Sequence, residues 1–208
     1  MSSLRYEQAF FEYIKLPSDL ISAHNQVKDL AVRFVKSADE DTHSNQFDWG
    51  GFKTALDNQD AENITIGGFT NSPIPLQGDD ATVSTMVDKI MNLLPSLLPS
   101  EPVDQSQMKN ELNSSLADLD QLWDDGNQAG ASGVLSEKWL SREYRVLAGV
   151  PAGQPNYLQS IVASVTVKGH FKKESTWGGL GRPKITKELD AAVKVMQLMV
   201  AKGFTNPS

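Results

Sequence analysis

The 208-residue chain contains no cysteine. This excludes a disulfide scaffold, a thiolate metal site and a cysteine nucleophile. Histidine is scarce, with only His24, His43 and His170. Long apolar runs are absent too. The most apolar stretches, 90–98 and 161–167, fall far short of the roughly 20 residues that a membrane-spanning helix needs. Glu7 and Glu12 interrupt the opening sixteen residues, so a cleaved secretory signal is not expected. We therefore expect a soluble protein, cytoplasmic or exported by a signal-less route. The patterns G-x-x-x-x-G-K-[ST] and G-x-S-x-G do not occur, and no internal repeat is evident. With no catalytic motif the reading leans away from an enzyme, and neither a cofactor nor a metal is expected.

What is present is an ordinary globular composition, 39% hydrophobic and 22% charged, with charge divided along the chain. Residues 1–130 carry 8 Lys and Arg against 21 Asp and Glu, and residues 131–208 carry 11 against 5. Such asymmetry bears on partners, because a basic segment can meet phosphate, an acidic surface or the acidic part of its own chain. The length suits a single domain over 1–208, with an internal boundary at the Gly-rich stretch 124–136 as the alternative.

Hydrophobic spacing predicts a predominantly helical α+β fold. Residues 4–15, with Leu4, Phe11 and Ile14, read as a helix ended by Pro17. Residues 19–37, capped by Ser18, read as a second helix whose apolar stripe includes His24. Phe52 and Leu56 fit a short helix, 63–69 a short strand, and SPIPLQGDD a loop. A helical hairpin spans 80–123, its arms joined by PSEP, the second arm opened by Asp104 and Gln107 in a capping-box spacing. Ser136 would cap a helix carrying Trp139, Leu140, Tyr144 and Leu147. Residues 157–171 read as a strand pairing with 63–69, a helix capped by Asn156 being the competitor. The last element, 185–202, is apolar around most of a helical wheel and reads as a helix buried in the core or in an oligomer interface. The hairpin and this C-terminal helix would bracket a two- or three-stranded sheet.

Four candidate sites emerge. The first is WGGLGRPK at 177–184, where Trp177, Gly178, Gly179, Gly181, Arg182 and Lys184, with Lys172, Lys173 and His170 upstream, suggest an anion-binding loop. The dinucleotide fingerprint fails because Lys184 stands where a third Gly is required, and a structural crossover loop explains the same residues. The second is the carboxylate cluster Asp118, Asp120, Asp124 and Asp125. An EF-hand register puts Gln121, Trp123 and Ser132 at ligand positions, so a solvated helix face is preferred. The loop Asp39, Asp41, His43 and Asn45 shares that weakness. The third is histidine: His24 reads as a hydrogen-bonded core residue, and His170 lacks a motif partner. The fourth is IMNLLPSLLP with its helix partner, able to unpack as an amphipathic hairpin against lipid. Acidic flanks at Asp79, Asp80, Asp88 and Glu101 argue for core packing instead.

The leading functional reading is a non-enzymatic protein-interaction or effector-like module, with a protein partner or self-association. Two alternatives stand beside it. One is a membrane-active, toxin-like virulence protein that uses the 80–123 hairpin. The other is a small enzyme or carrier that binds an anionic ligand at 168–184. Dispersed Lys and Arg and a pI near 4.9 argue against nucleic acid.

Overall fold

The computed structural model describes residues 9–36, 45–60, 62–77, 81–119, 136–174 and 184–206. In chain order these form β1 (Phe11–Ile14), α1 (Ile21–Val32), β2 (Val35–Lys36), β3 (Gln46–Phe47), α2 (Trp49–Asp57), β4 (Ile64–Gln77), α3 (Val83–Leu97), α4 (Gln105–Ser115), β5 (Ser136–Pro151), β6 (Tyr157–Glu174) and β7 (Lys184–Ala201). Five strands make one mixed sheet in the order β1-β5-β6-β7-β4. β1 runs parallel to β5, and every other pairing is antiparallel. β2 and β3 form a separate two-stranded ribbon.

This overturns the expected fold class. Strand residues outnumber helical ones, and the sheet has five strands, not two or three. The segment 185–202, expected as a buried helix, is β7. The helix expected after Ser136 is β5, and the one expected over 4–15 gives way to β1, residues 1–8 lying outside the described residues. The strand expected at 157–171 is present as β6, but it pairs with β5 and β7. The strand expected at 63–69 pairs with β7 as part of β4.

The misreading of β7 has a definite cause. Successive strand residues point to opposite faces. Leu189, Ala191, Val193 and Val195, all odd-numbered, are buried with α3 and α4, whereas Met196, Leu198 and Val200, all even-numbered, are buried with α1 and α2. Asp190 and Lys194 occupy the opposite face of the first half and Gln197 that of the second. Each half is therefore one-sided, but the change of parity between Val195 and Met196 makes the whole run apolar around a helical wheel. β6 is buried on both faces between Leu158 and Val165, the pattern of a central strand covered by helices on each side.

β4 makes the same crossing by another device. Its register jumps from Ile66 opposite Leu198 to Gly68 opposite Gln197, which leaves Gly67 as the extra residue of a bulge. Ile64 and Ile66 consequently join the α1–α2 side, and Ile74 and Leu76 the α3–α4 side. Pro73 and Pro75, expected in a loop, lie within β4. They are tolerated there because β4 is an edge strand, whose outward N–H groups have no ladder partner to lose.

The other expected helical elements are present as α1, α2, α3 and α4. Asp48, Thr82 and Asp104 cap α2, α3 and α4 by accepting backbone N–H groups at 2.8 to 3.1 Å. Beneath the β2–β3 ribbon lies a buried ion pair. Arg145 donates to Glu143 Oε2 at 2.8 Å, to the Ala9 carbonyl at 2.7 Å and to the Asn45 carbonyl at 2.9 Å. Glu143 Oε2 in turn accepts the Phe47 N–H at 2.8 Å. Both charges are thus satisfied where they are buried.

The alternation in β7 makes neighbouring substitutions unequal, which a buried helix would not. Leu198→Ala is expected to cost about 2–5 kcal/mol, and Met199→Ala, half-buried on the other face, about 1 kcal/mol or less. Urea denaturation of the two variants checks this.

Candidate functional site

The site that the structure builds most completely is the α3–α4 hairpin on one face of the sheet. Val83, Met86, Val87, Ile90 and Leu94 of α3, with Met108 and Leu112 of α4, form its apolar underside. They share one core with Tyr144, Val146 and Ala148 of β5 and with residues of β6 and β7. The two arms are tied by Lys109 Nζ to Asp88 Oδ1 at 2.8 Å.

Around this apolar contact, polar clasps join hairpin to sheet, and each has its carboxylate on the hairpin side. Tyr13 of β1 and Tyr144 of β5 both donate to Glu111 Oε2 of α4, at 2.6 and 3.0 Å, with their own hydroxyl oxygens 3.3 Å apart. Gln107 steadies the other oxygen of Glu111 at 2.8 Å. Arg142 of β5 donates to Asp118 Oδ2 at 2.7 Å. At the hairpin tip Lys15 pairs with Glu101, which lowers the pKa of that carboxyl below its usual range. Beside this pair a cavity of about 660 Å³ opens among Lys15, Leu16, Pro17, Pro99, Val150 and Pro151.

Burial, reinforced for each by hydrogen bonding, raises the pKa values of Tyr13 and Tyr144 well above the ordinary tyrosine value. A phenolate beside Glu111 would place two negative charges together out of water. The hydroxyls consequently remain donors at pH values where exposed tyrosines begin to ionise.

The other candidates fare differently. Trp177, Gly178, Gly179, Gly181 and Arg182 lie outside the described residues, as do the side chains of Lys173 and Lys184. Lys172 is half-buried in β6. His170 stacks on Trp139, with ring centroids 3.7 Å apart. Its Nε2 lies 2.9 Å from Glu137 and its Nδ1 3.4 Å from Glu188. The sheet thus brings acids from neighbouring strands to a histidine whose sequence neighbours are cationic. Of the carboxylate cluster, Asp118 serves the hairpin clasp, while Asp120, Asp124 and Asp125 lie outside the described residues, as do Asp39, Asp41 and His43. Among the described residues no group of three or more His, Asp or Glu is placed to hold a metal ion.

The clasp can be measured. Glu111→Leu is expected to cost about 1.5–3 kcal/mol, because two tyrosine hydroxyls lose a charged acceptor. A double-mutant cycle with Tyr144→Phe should be clearly non-additive in urea denaturation. The tyrosines also set an alkaline limit. Their folded pKa values stand above the unfolded value of about 10, so their stabilisation is complete below pH 10 and is lost as pH rises beyond it. Denaturation midpoints at pH 9 and pH 11 should show this fall, which Tyr144→Phe should reduce.

No protein-family model matches the chain, and no curated protein matches it in sequence. Solved structures do match. The activated Cyt2Ba monomer from Bacillus thuringiensis subsp. israelensis superposes with a TM-score of 0.52 at 13% identity, over 93% of this chain and 98% of that one. A delta-endotoxin superposes with a TM-score of 0.52 at 11% identity, over 97% of this chain and 85% of that one. At these identities the likeness is one of fold, and the fold of the chain is Cyt-toxin-like.

Proposed function

We propose that the chain is a membrane-active, toxin-like protein that releases the α3–α4 hairpin from its sheet on contact with lipid. The observation that carries this reading is the sheet beneath the hairpin. β4, β5, β6 and β7 have 14, 16, 18 and 18 residues, each longer than the roughly 9–11 that a tilted strand needs to cross hydrocarbon. Over part of their length they alternate as membrane strands do. In β7, Leu189, Ala191, Val193 and Val195 face the hairpin, and Glu188, Asp190 and Lys194 face away. In β6, Val165 and Val167 face the hairpin, and Thr166, Lys168 and His170 face away. Removing the hairpin would uncover a broad apolar surface. Among the described residues no helix is long and apolar enough to cross a membrane, which leaves strands as the spanning elements of this reading.

The Cyt-toxin-like fold supports this reading, one of the two alternatives the sequence offered, over the leading interaction-module reading. That leading reading drew on the absence of catalytic motifs, the opposite charge of the two parts of the chain and a C-terminal helix apolar around most of its circumference. β7 is instead an inner strand whose apolar residues are already covered by this chain's own helices.

Dye release from lipid vesicles tests the proposal. Because the chain lacks cysteine, Lys15→Cys with Glu101→Cys introduces only two thiols, which a short bis-methanethiosulfonate reagent can join. The unlinked variant should release dye, the linked one close to none, and reductant should restore release. Vesicles left intact by every form, or equal release by linked and unlinked forms, would refute it.

A further inference from the structure

On the other face of the sheet, His24 of α1 is fully buried, with a relative exposure of 0%. Neither ring nitrogen has a hydrogen-bond partner among the described residues. The ring approaches β5 so closely that a Cβ on Gly149 would fall 2.7 Å from Nδ1. Gly149 is what lets helix and strand approach so closely. Ser160 of β6 stands opposite Gly149 in the register, and its hydroxyl is also buried without a partner. The centre of the α1 interface thus holds two polar side chains that packing leaves unsatisfied, a costly arrangement.

The charges around His24 come from two elements. Glu12 of β1 has Oε2 at 3.8 Å from Nε2, beyond hydrogen-bond reach, and its Oε1 is taken by Lys28 of α1. The adjoining face of β5 presents Gly149 and Leu147, that of β6 presents Leu158, Ser160 and Val162, and that of β7 presents Leu198 and Val200, none of them titratable. Arg145, further along β5, is matched by Glu143, and Lys202 by Asp19 at the rim. A proton on His24 therefore meets one carboxylate that is already neutralised.

We propose that α1 is an acid-released cover on the sheet: proton uptake by His24 places an unmatched charge in the interface and favours the state in which α1 has lifted and the imidazolium is hydrated. Burial, as the largest effect, holds the pKa of His24 below its ordinary value, with Glu12 opposing and Lys28 reinforcing. The sign follows. The lifted state binds the proton more readily, so closure is fully stable above the free histidine value of about 6.5 and is lost as pH falls below it. The inference concerns the protein alone and stands apart from membrane activity.

Hydrogen exchange of the whole chain between pH 7.5 and 5, corrected for intrinsic rates, provides the test. Protection across 21–32 should fall by up to roughly tenfold per pH unit below 6.5, the limit for one linked proton, while protection of 83–97 holds. His24→Leu should abolish the slope. Lys28→Met, which frees Glu12 to pair with the imidazolium, should flatten it and serves if the leucine variant does not fold. Protection of α1 that is constant to pH 5 in the wild type overturns the proposal. So does an equal slope in the folded variants, or α3 opening in step with α1.

Discussion

Most of this structure depends on one constraint: long central strands have to be buried on both faces by helices that each cover only part of a face. α3 and α4 cover one end of one side, and α1 and α2 the other end of the opposite side. β7 answers with a change of parity and β4 with a bulge at Gly67. Among the described residues the two cores lie on opposite faces of the strands. Each can therefore be disturbed while the ladders β5–β6 and β6–β7, paired over nearly their full lengths, remain intact. Such segmentation allows local opening free energies well below the global one.

The two covers are fastened differently. The hairpin is held by a wide apolar contact and by clasps at Glu111, Asp118 and Glu101, whose donors come from β1, β5 and the residue just after β1. α1 is held by small and medium apolar side chains around an imidazole with no hydrogen-bond partner among the described residues. The Glu143–Arg145 pair fixes the β2–β3 ribbon and the chain at Ala9 through three hydrogen bonds. The buried charges of Glu143 and Arg145 are fully satisfied, whereas the buried ring of His24 has no hydrogen-bond partner among the described residues.

Legibility in the sequence followed periodicity. The hairpin could be read because Met86, Ile90 and Leu94 repeat with a helical period on one face only, and because Asp104 marks a start. β7 could not be read as a strand by overall apolarity. The discriminating signal was present in the polar residues, with Asp190 and Lys194 on one parity and Gln197 on the other. β5 hid because Trp139, Tyr144 and Leu147 also suit a helical stripe. The clasp was beyond sequence reasoning. Tyr13 and Glu111 are 98 positions apart and Tyr144 is 33 further on, and nothing local in any of them announces the meeting. Among the described residues the charge division along the chain is realised in Arg142–Asp118 and Lys202–Asp19, whose carboxylates are exposed and whose kind contributes little in water.

That modest electrostatic contribution bears on how the hairpin is kept closed. Its main stabilisation is the removal of apolar surface from water, which does not depend on direction or partner. Hydrocarbon solvates the same surface without that penalty, so the drive that closes the hairpin in water is largely missing at a bilayer. Only the clasps then favour closure, and each ends on a hairpin carboxylate that water can rehydrate at the membrane surface once α4 has moved. On the proposed reading the bilayer itself removes the reason for the closed form, and the clasps at Glu111, Asp118 and Glu101 set how readily it does so.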